Sequence, residues 1–218
     1  MMESIEKKKP IDLSLYLCTD RGLMSTETLE EAVEQAILGG CTVVQLREKD
    51  CSSLDFYQCA KNIKTITDKY DVPLIINDRV DIAVAIDAAG VHVGQSDLPA
   101  SVVRNIIGPD KIVGVSTANV KEAQKAKQDG ADYIGVGAVF TTSTKSDTRA
   151  VSYETLKAIH DEVGIPMVAI GGIQLNNLNQ LSGSGIDGVA VISAIIAKEN
   201  IKEAAKNMRE QVKATLNL

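Results

Sequence analysis

Leu74-Ile75-Ile76-Asn77-Asp78-Arg79 and, a helix-length later, Gly90-Val91-His92-Val93-Gly94-Gln95-Ser96-Asp97 are the residues on which the reading of the fold turns. Each piece opens as a short apolar run, the pattern of a strand buried on both faces, and breaks off into polar residues. Residues 81–87 between them have room for a short helix. Two such strands joined by a helix form a parallel crossover, which sets Asp78 and Asp97 side by side at one end of a sheet. A carboxylate pair of that kind suits Mg²⁺, which takes a few hard oxygen ligands and completes its shell with water and phosphate. Read alone, the two aspartates serve equally well as N-caps of the helices that follow.

The same unit repeats outward in both directions. Strands are expected at 13–18, 42–46, 74–76, 90–93, 111–115, 132–137, 166–170 and 188–192. Helices are expected at 28–38, 53–69, 81–87, 100–107, 120–128, 153–162, 177–182 and 201–216. Within 28–38, for example, Leu29, Ala32, Val33, Ala36 and Ile37 recur at helical spacing and stop at Gly39-Gly40. Eight strands in strict alternation with helices close naturally as a single-domain (β/α)₈ TIM barrel. A doubly wound open sheet would want a glycine-rich turn after the first strand, and Thr19-Asp20-Arg21-Gly22 supplies no G-x-G-x-x-G.

Composition bounds the function. The chain of 218 residues is long enough for one barrel and carries no internal linker, so 1–218 reads as one domain, with 1–10 as a flexible tail holding Lys7-Lys8-Lys9. A net charge of −6 argues against nucleic acid as a partner, so any cationic site must be local. No apolar run is long enough for a membrane span or signal peptide, and a cytoplasmic location is expected. Cys18, Cys41, Cys51 and Cys59 form no CxxC pair and read as reduced, mostly buried thiols. With only His92 and His160 present, histidine triads and zinc sites are disfavoured.

In a barrel the residues after every strand meet at one face. Strand two runs into Gln45-Leu46-Arg47-Glu48-Lys49, strand three into Asn77-Asp78-Arg79, strand four into Gln95 and Asp97, and strand five into Ser116-Thr117. Strand six leads to the hydroxyl-rich loop 141–150, a candidate lid in which Lys145 is placed to reach an anion. Gly171-Gly172 follows strand seven, and Ser193 is expected to open a helix after strand eight, together a backbone phosphate site. Two carboxylates, several cations and a hydroxyl-rich loop on one face suit a polyphosphate. An isolated Arg47-Glu48-Lys49 triplet would instead read as a locally paired loop, and the glycines as a tight turn.

At these residues the chain resembles the thiamine phosphate synthase family. The motifs are Q-L-R-E-K at 45–49, N-D-R at 77–79, G-V-H-V-G-Q-x-D at 90–97, T-x-T-K-x-D at 142–147 and A-I-G-G-I at 169–173. The resemblance implies a Mg²⁺-dependent transferase joining 4-amino-2-methyl-5-hydroxymethylpyrimidine diphosphate to hydroxyethylthiazole phosphate, with loss of diphosphate. It implies that Gln45, Leu46, Arg47, Glu48, Lys49, Asn77, Ser116 and Lys145 hold the pyrimidine diphosphate. Among these, Lys145, Arg47, Lys49 and Ser116 are the expected catalytic residues. Asp78 and Asp97 would hold the metal, and Thr142, Ser143, Thr144, Gly172, Ile192 and Ser193 the thiazole phosphate. The family usually has a His two residues after the strand-five Ser, and here that position is Ala118. A thiazole tautomerase, which needs no diphosphate clamp, and a non-catalytic binder of thiamine intermediates are the competing readings. Monomer and homodimer are both compatible with the sequence.

Overall fold

A computed structural model of the chain describes residues 11–141 and 150–218. Eight parallel strands close into a barrel, each hydrogen-bonded to the next in chain order and the last to the first. They are β1 (Leu15–Cys18), β2 (Val43–Leu46), β3 (Leu74–Asn77), β4 (Gly90–Val93), β5 (Ile112–Thr117), β6 (Tyr133–Gly137), β7 (Met167–Ile170) and β8 (Gly188–Val191). Around them lie α1 (Leu29–Leu38), α2 (Ser53–Lys69), α3 (Val80–Ala85), α4 (Ala100–Ile107), α5 (Val120–Gln128), α6 (Tyr153–Val163) and α7 (Ile201–Leu216). The expected (β/α)₈ architecture is therefore the observed one. The expected tail, 1–10, lies outside the described residues.

Helix starts follow local chemistry. Thr28, Ser52, Asn119, Ser152 and Asn200 each stand at an N-cap and accept a backbone N–H three residues on. Two expectations need correction. Residues 177–182 make only a 3₁₀ turn, Leu178–Leu181, in which the Gln180 and Ser182 N–H groups bond the Asn177 and Asn179 carbonyls three residues back. The segment after β8 is a run of turns over 193–197, in which the Ile195 and Ile196 N–H groups both bond the Ile192 carbonyl and the Lys198 N–H bonds the Ile195 carbonyl, and not a helix opening at Ser193. β5 also runs two residues beyond expectation, so Ser116 and Thr117 are strand residues.

Strand alternation sorts the core into two layers. Val44, Leu46, Ile76 and Val91 face outward and pack with helix residues such as Ala32, Val33, Ala36 and Ile63. Tyr16, Val43, Ile75, Tyr133, Val168 and Ala190 fill the barrel interior. Cys18 and Cys41 are buried, whereas Cys51 and Cys59 are only half-buried, so the thiols are less sequestered than expected. Burial pushes the Cys41 thiol up to about 12.

The interior has no room beside its aromatic rings. A Cβ on Gly114 would lie 2.2 Å from Tyr133 Cζ and 2.5 Å from His92 Nδ1. Gly114→Ala is expected to destabilise the fold by roughly 1–3 kcal/mol through overpacking. That should lower Tm by about 2–4 °C per kcal/mol in a chain of this size, read by thermal unfolding. A Tm within about 1 °C of the parent would show that the ring can shift freely.

Candidate active site

A cavity of about 600 Å³ opens at the C-terminal ends of the strands. Arg47 and Lys49 reach it from β2, Asn77 and Asp78 from β3, and Gly94 to Asp97 from β4. Ser116, Thr117 and Ala118 line it from β5, Ile170 to Ile173 from β7, and Ala190 to Ser193 from β8. The barrel thus brings to one cavity residues separated by almost 150 positions, as parallel closure requires.

The carboxylates sit on shaped turns. Asp78 holds a left-handed backbone (φ 62°), where a non-glycine residue is uncommon, and its N–H bonds the His92 carbonyl at 2.9 Å. Asp97 Oδ2 accepts the Gly94 N–H at 2.7 Å, which closes the turn after β4. Gln95 Nε2 then ties that turn to the Ser116 carbonyl at 2.7 Å. Neither aspartate acts as the helix cap: Arg79 and Pro99 occupy those positions, without a side-chain capping bond. Two carboxylates on one open cavity form a donor set that fits a hard divalent cation completed by water and phosphate. Among the described residues no cluster of three or more His, Cys, Asp or Glu could hold a metal without such help.

The residues expected around the diphosphate separate by strand parity. Arg47 and Lys49 line the cavity, and Arg47 is only loosely paired, 3.8 Å from Asp20 Oδ2. Leu46 is fully buried in the outer core layer. Glu48 turns to Arg21, with Oε2 accepting Nε–H at 3.2 Å, so it pairs with a distant residue and not with its neighbours. Gln45 points into the barrel interior below the cavity, 5% exposed. Arg79 is drawn away by Asp81 at 2.6 Å and Ser53 at 2.9 Å. Thr142, Ser143, Thr144 and Lys145 lie outside the described residues, as does most of the expected lid.

On the opposite wall Gly171 and Gly172 hold φ of 100° and 65°, in the region that favours glycine. A Cβ on Gly172 would lie 2.5 Å from the Thr141 carbonyl oxygen, so substitution there would move backbone before it crowded any ligand. Asn177 Nδ2 bonds the Gly172 carbonyl at 2.9 Å and steadies the turn. Ile192 and Ser193 face the same space. Because Ser193 opens a run of turns and no α-helix, the helix N-terminus expected to receive a phosphate there is not formed.

Beneath the cavity lies a polar chain that sequence reasoning missed. Gln45 Nε2 donates to Tyr16 OH at 2.8 Å, Tyr16 OH meets Tyr133 OH at 2.7 Å, and Tyr133 OH meets His92 Nδ1 at 2.9 Å. His92 Nε2 in turn lies 2.9 Å from Ser116 Oγ. The available signal was parity: Tyr16, His92, Ser116 and Tyr133 all occupy inward positions of their strands, an unusual polar load for a barrel interior.

The family model for thiamine monophosphate synthase matches residues 15–195. The chain belongs to this family. It is 62% identical over 204 residues to a thiamine-phosphate synthase of Clostridium beijerinckii, covering 94% of this chain and 98% of that one. It is 66% identical over 203 residues to one of Ruminiclostridium cellulolyticum, covering 93% and 97%. Its fold superposes on thiamine phosphate pyrophosphorylase from Pyrococcus furiosus with a TM-score of 0.87 at 39% identity, over 95% of this chain and 98% of that one.

Ala118 lines the cavity and donates its N–H to Glu122 Oε2 at 2.9 Å. Ala118→His is therefore expected to change unfolding free energy by no more than about 1 kcal/mol in denaturant titration, because the new ring has open space at the mouth. A larger loss would place the side chain in packed interior.

Proposed function

We propose that the chain joins hydroxymethylpyrimidine diphosphate to hydroxyethylthiazole phosphate, yielding thiamine phosphate and diphosphate. Kinship with thiamine-phosphate synthases over more than nine-tenths of the chain is the observation that carries this reading. The cavity's chemistry supports it. Diphosphate leaves readily only when its growing negative charge is neutralised, and Arg47 and Lys49 bring two basic side chains to that wall. Lys145 belongs to the same clamp in this reading. Mg²⁺ held by Asp78 and Asp97 would add positive charge to the leaving group.

Loss of diphosphate leaves a pyrimidine cation that the thiazole nitrogen captures, so the protein needs no strong base. Its work is to orient two substrates and keep water from the cation. In this reading Ser116 and Asn77 hold the pyrimidine half, while Gly172, Ile192 and Ser193, with 142–144, hold the thiazole phosphate. The cytosolic location expected from the sequence belongs to the same proposal.

Mixing both substrates with Mg²⁺ and following diphosphate release tests the reaction, which fails if no product forms. Asp97→Asn keeps an oxygen acceptor for the Gly94 N–H but removes the charge. It should lower kcat by at least ~100-fold with little change in Tm. Near-normal turnover at saturating Mg²⁺ would remove Asp97 from the metal site.

Substrate choice at the β7–β8 wall gives a separate test. Hydrogen bonds to a charged acceptor contribute roughly 1.5–3 kcal/mol each. The unphosphorylated thiazole alcohol should be used at least ~100-fold less efficiently in kcat/KM, and Ser193→Ala should narrow that gap. Equal use of alcohol and phosphate would move the phosphate site elsewhere.

A further inference from the structure

The polar chain under the cavity has a direction, because each phenol carries one proton. A hydroxyl between two partners donates to one and accepts from the other, so the sense chosen at one end of such a chain is transmitted to the other end. Tyr16 and Tyr133 are 1% and 0% exposed, and burial raises both phenols well above their usual range, so each keeps its proton. With the Gln45 amide nitrogen donating to Tyr16, Tyr16 donates to Tyr133 and Tyr133 donates to His92 Nδ1. The His92 proton is then on Nε2, directed at Ser116 Oγ. Run the other way, the Ser116 proton would be spent on His92, and its oxygen would face the cavity as an acceptor only.

We propose that Tyr16, Tyr133 and His92 are positioning residues: a one-way hydrogen-bond relay that commits the Ser116 hydroxyl to act as a donor into the cavity. The ligand it selects carries an acceptor there, as an unprotonated ring nitrogen of an aminopyrimidine does. The selection rests on the proposed function, whereas the relay itself rests on the four contacts. The packing agrees with a dedicated device. A Cβ at Gly114 would strike the Tyr133 and His92 rings and one at Gly135 would press on His92, while the phenols pack among Val43, Ile75, Val168 and Ala190, with the Cys18 thiol, a weak hydrogen-bonding group, beside them. A ring held on both nitrogens and both edges has one orientation. Ser116 takes its own from it.

The tautomer can be read directly. The chain has two histidines, His92 buried and His160 exposed, so His160→Gln leaves a single ring for ¹⁵N NMR of histidine-labelled protein. His92 should carry its proton on Nε2, and Tyr133→Phe should abolish that preference. In steady-state kinetics Tyr133→Phe should lower kcat/KM for the pyrimidine diphosphate by ~10-fold while leaving KM for the thiazole phosphate unchanged. In a Ser116→Ala background the same substitution should add less than about twofold, since its effect travels through Ser116. Tyr16→Phe should act in the same direction and is the second variant if Tyr133→Phe folds poorly. A His92 protonated on Nδ1 in otherwise native protein, losses that multiply in the double variant, or equal damage to both substrates would overturn the relay. Because the tautomer is read without substrate, failure to form product would overturn the proposed reaction alone.

Discussion

Pairing between the first strand and the last, Leu15 with Val189 through Leu17 with Val191, turns a row of parallel strands into a barrel. Once that seam is made, every strand must run the same way around a closed wall, and every strand's C-terminal end arrives at one rim. The candidate site follows from this constraint, because no single segment holds enough chemistry to bind a diphosphate. Ser116 lies within β5, whereas Arg47, Asp78, Asp97 and Ser193 stand just past the ends of β2, β3, β4 and β8, so the sheet brings these five positions to one rim and the short turns that follow the strands set their final placement.

Closure also creates a problem in the middle of the wall. Side chains that point inward share a narrow space, usually filled by branched apolar residues. Here two tyrosines, a histidine and a glutamine occupy it, and a polar group buried there costs free energy unless it is bonded. The chain from Gln45 to Ser116 bonds each of them to the next. Room comes from glycine at 114 and 135, so these two residues and the rings they face form a single packing unit. The interior thereby couples stability to the site above it.

The fold was legible because period and punctuation agree at every level, with apolar runs, N-capping residues and helical spacing all marking the same boundaries. The rim was legible for a related reason: strand ends in a barrel converge wherever they fall in the chain. Three features were not. Whether a residue after a strand faces the cavity depends on where the pleat stops, so Leu46 and Glu48 could not be separated from Arg47 and Lys49 by their motif. The form of the segment after β8 depends on hydrogen bonds beyond Ser193, which make turns at Ile195, Ile196 and Lys198 but no continuous helical ladder. The relay needs cross-strand register, such as Asn77 opposite His92 and Ser116 opposite Gly135, which no local pattern reports.

That register carries a consequence for how the family's motif is to be understood. In G-V-H-V-G-Q-x-D the aspartate stands at the rim in the turn after β4 and the histidine lies within the strand below it, so one short motif serves two functions at different depths. Asp97 belongs to the charged surface where a leaving group would be stabilised. His92 belongs to the buried layer, where its contacts are with protein and its influence on a ligand must pass through Ser116. A change at Asp97 therefore alters the cavity's charge and the turn that its carboxylate closes, whereas a change at His92 alters packing, a hydrogen-bond sense and a substrate contact together. Such coupled positions resist substitution more strongly than exposed ones, even though they touch no substrate.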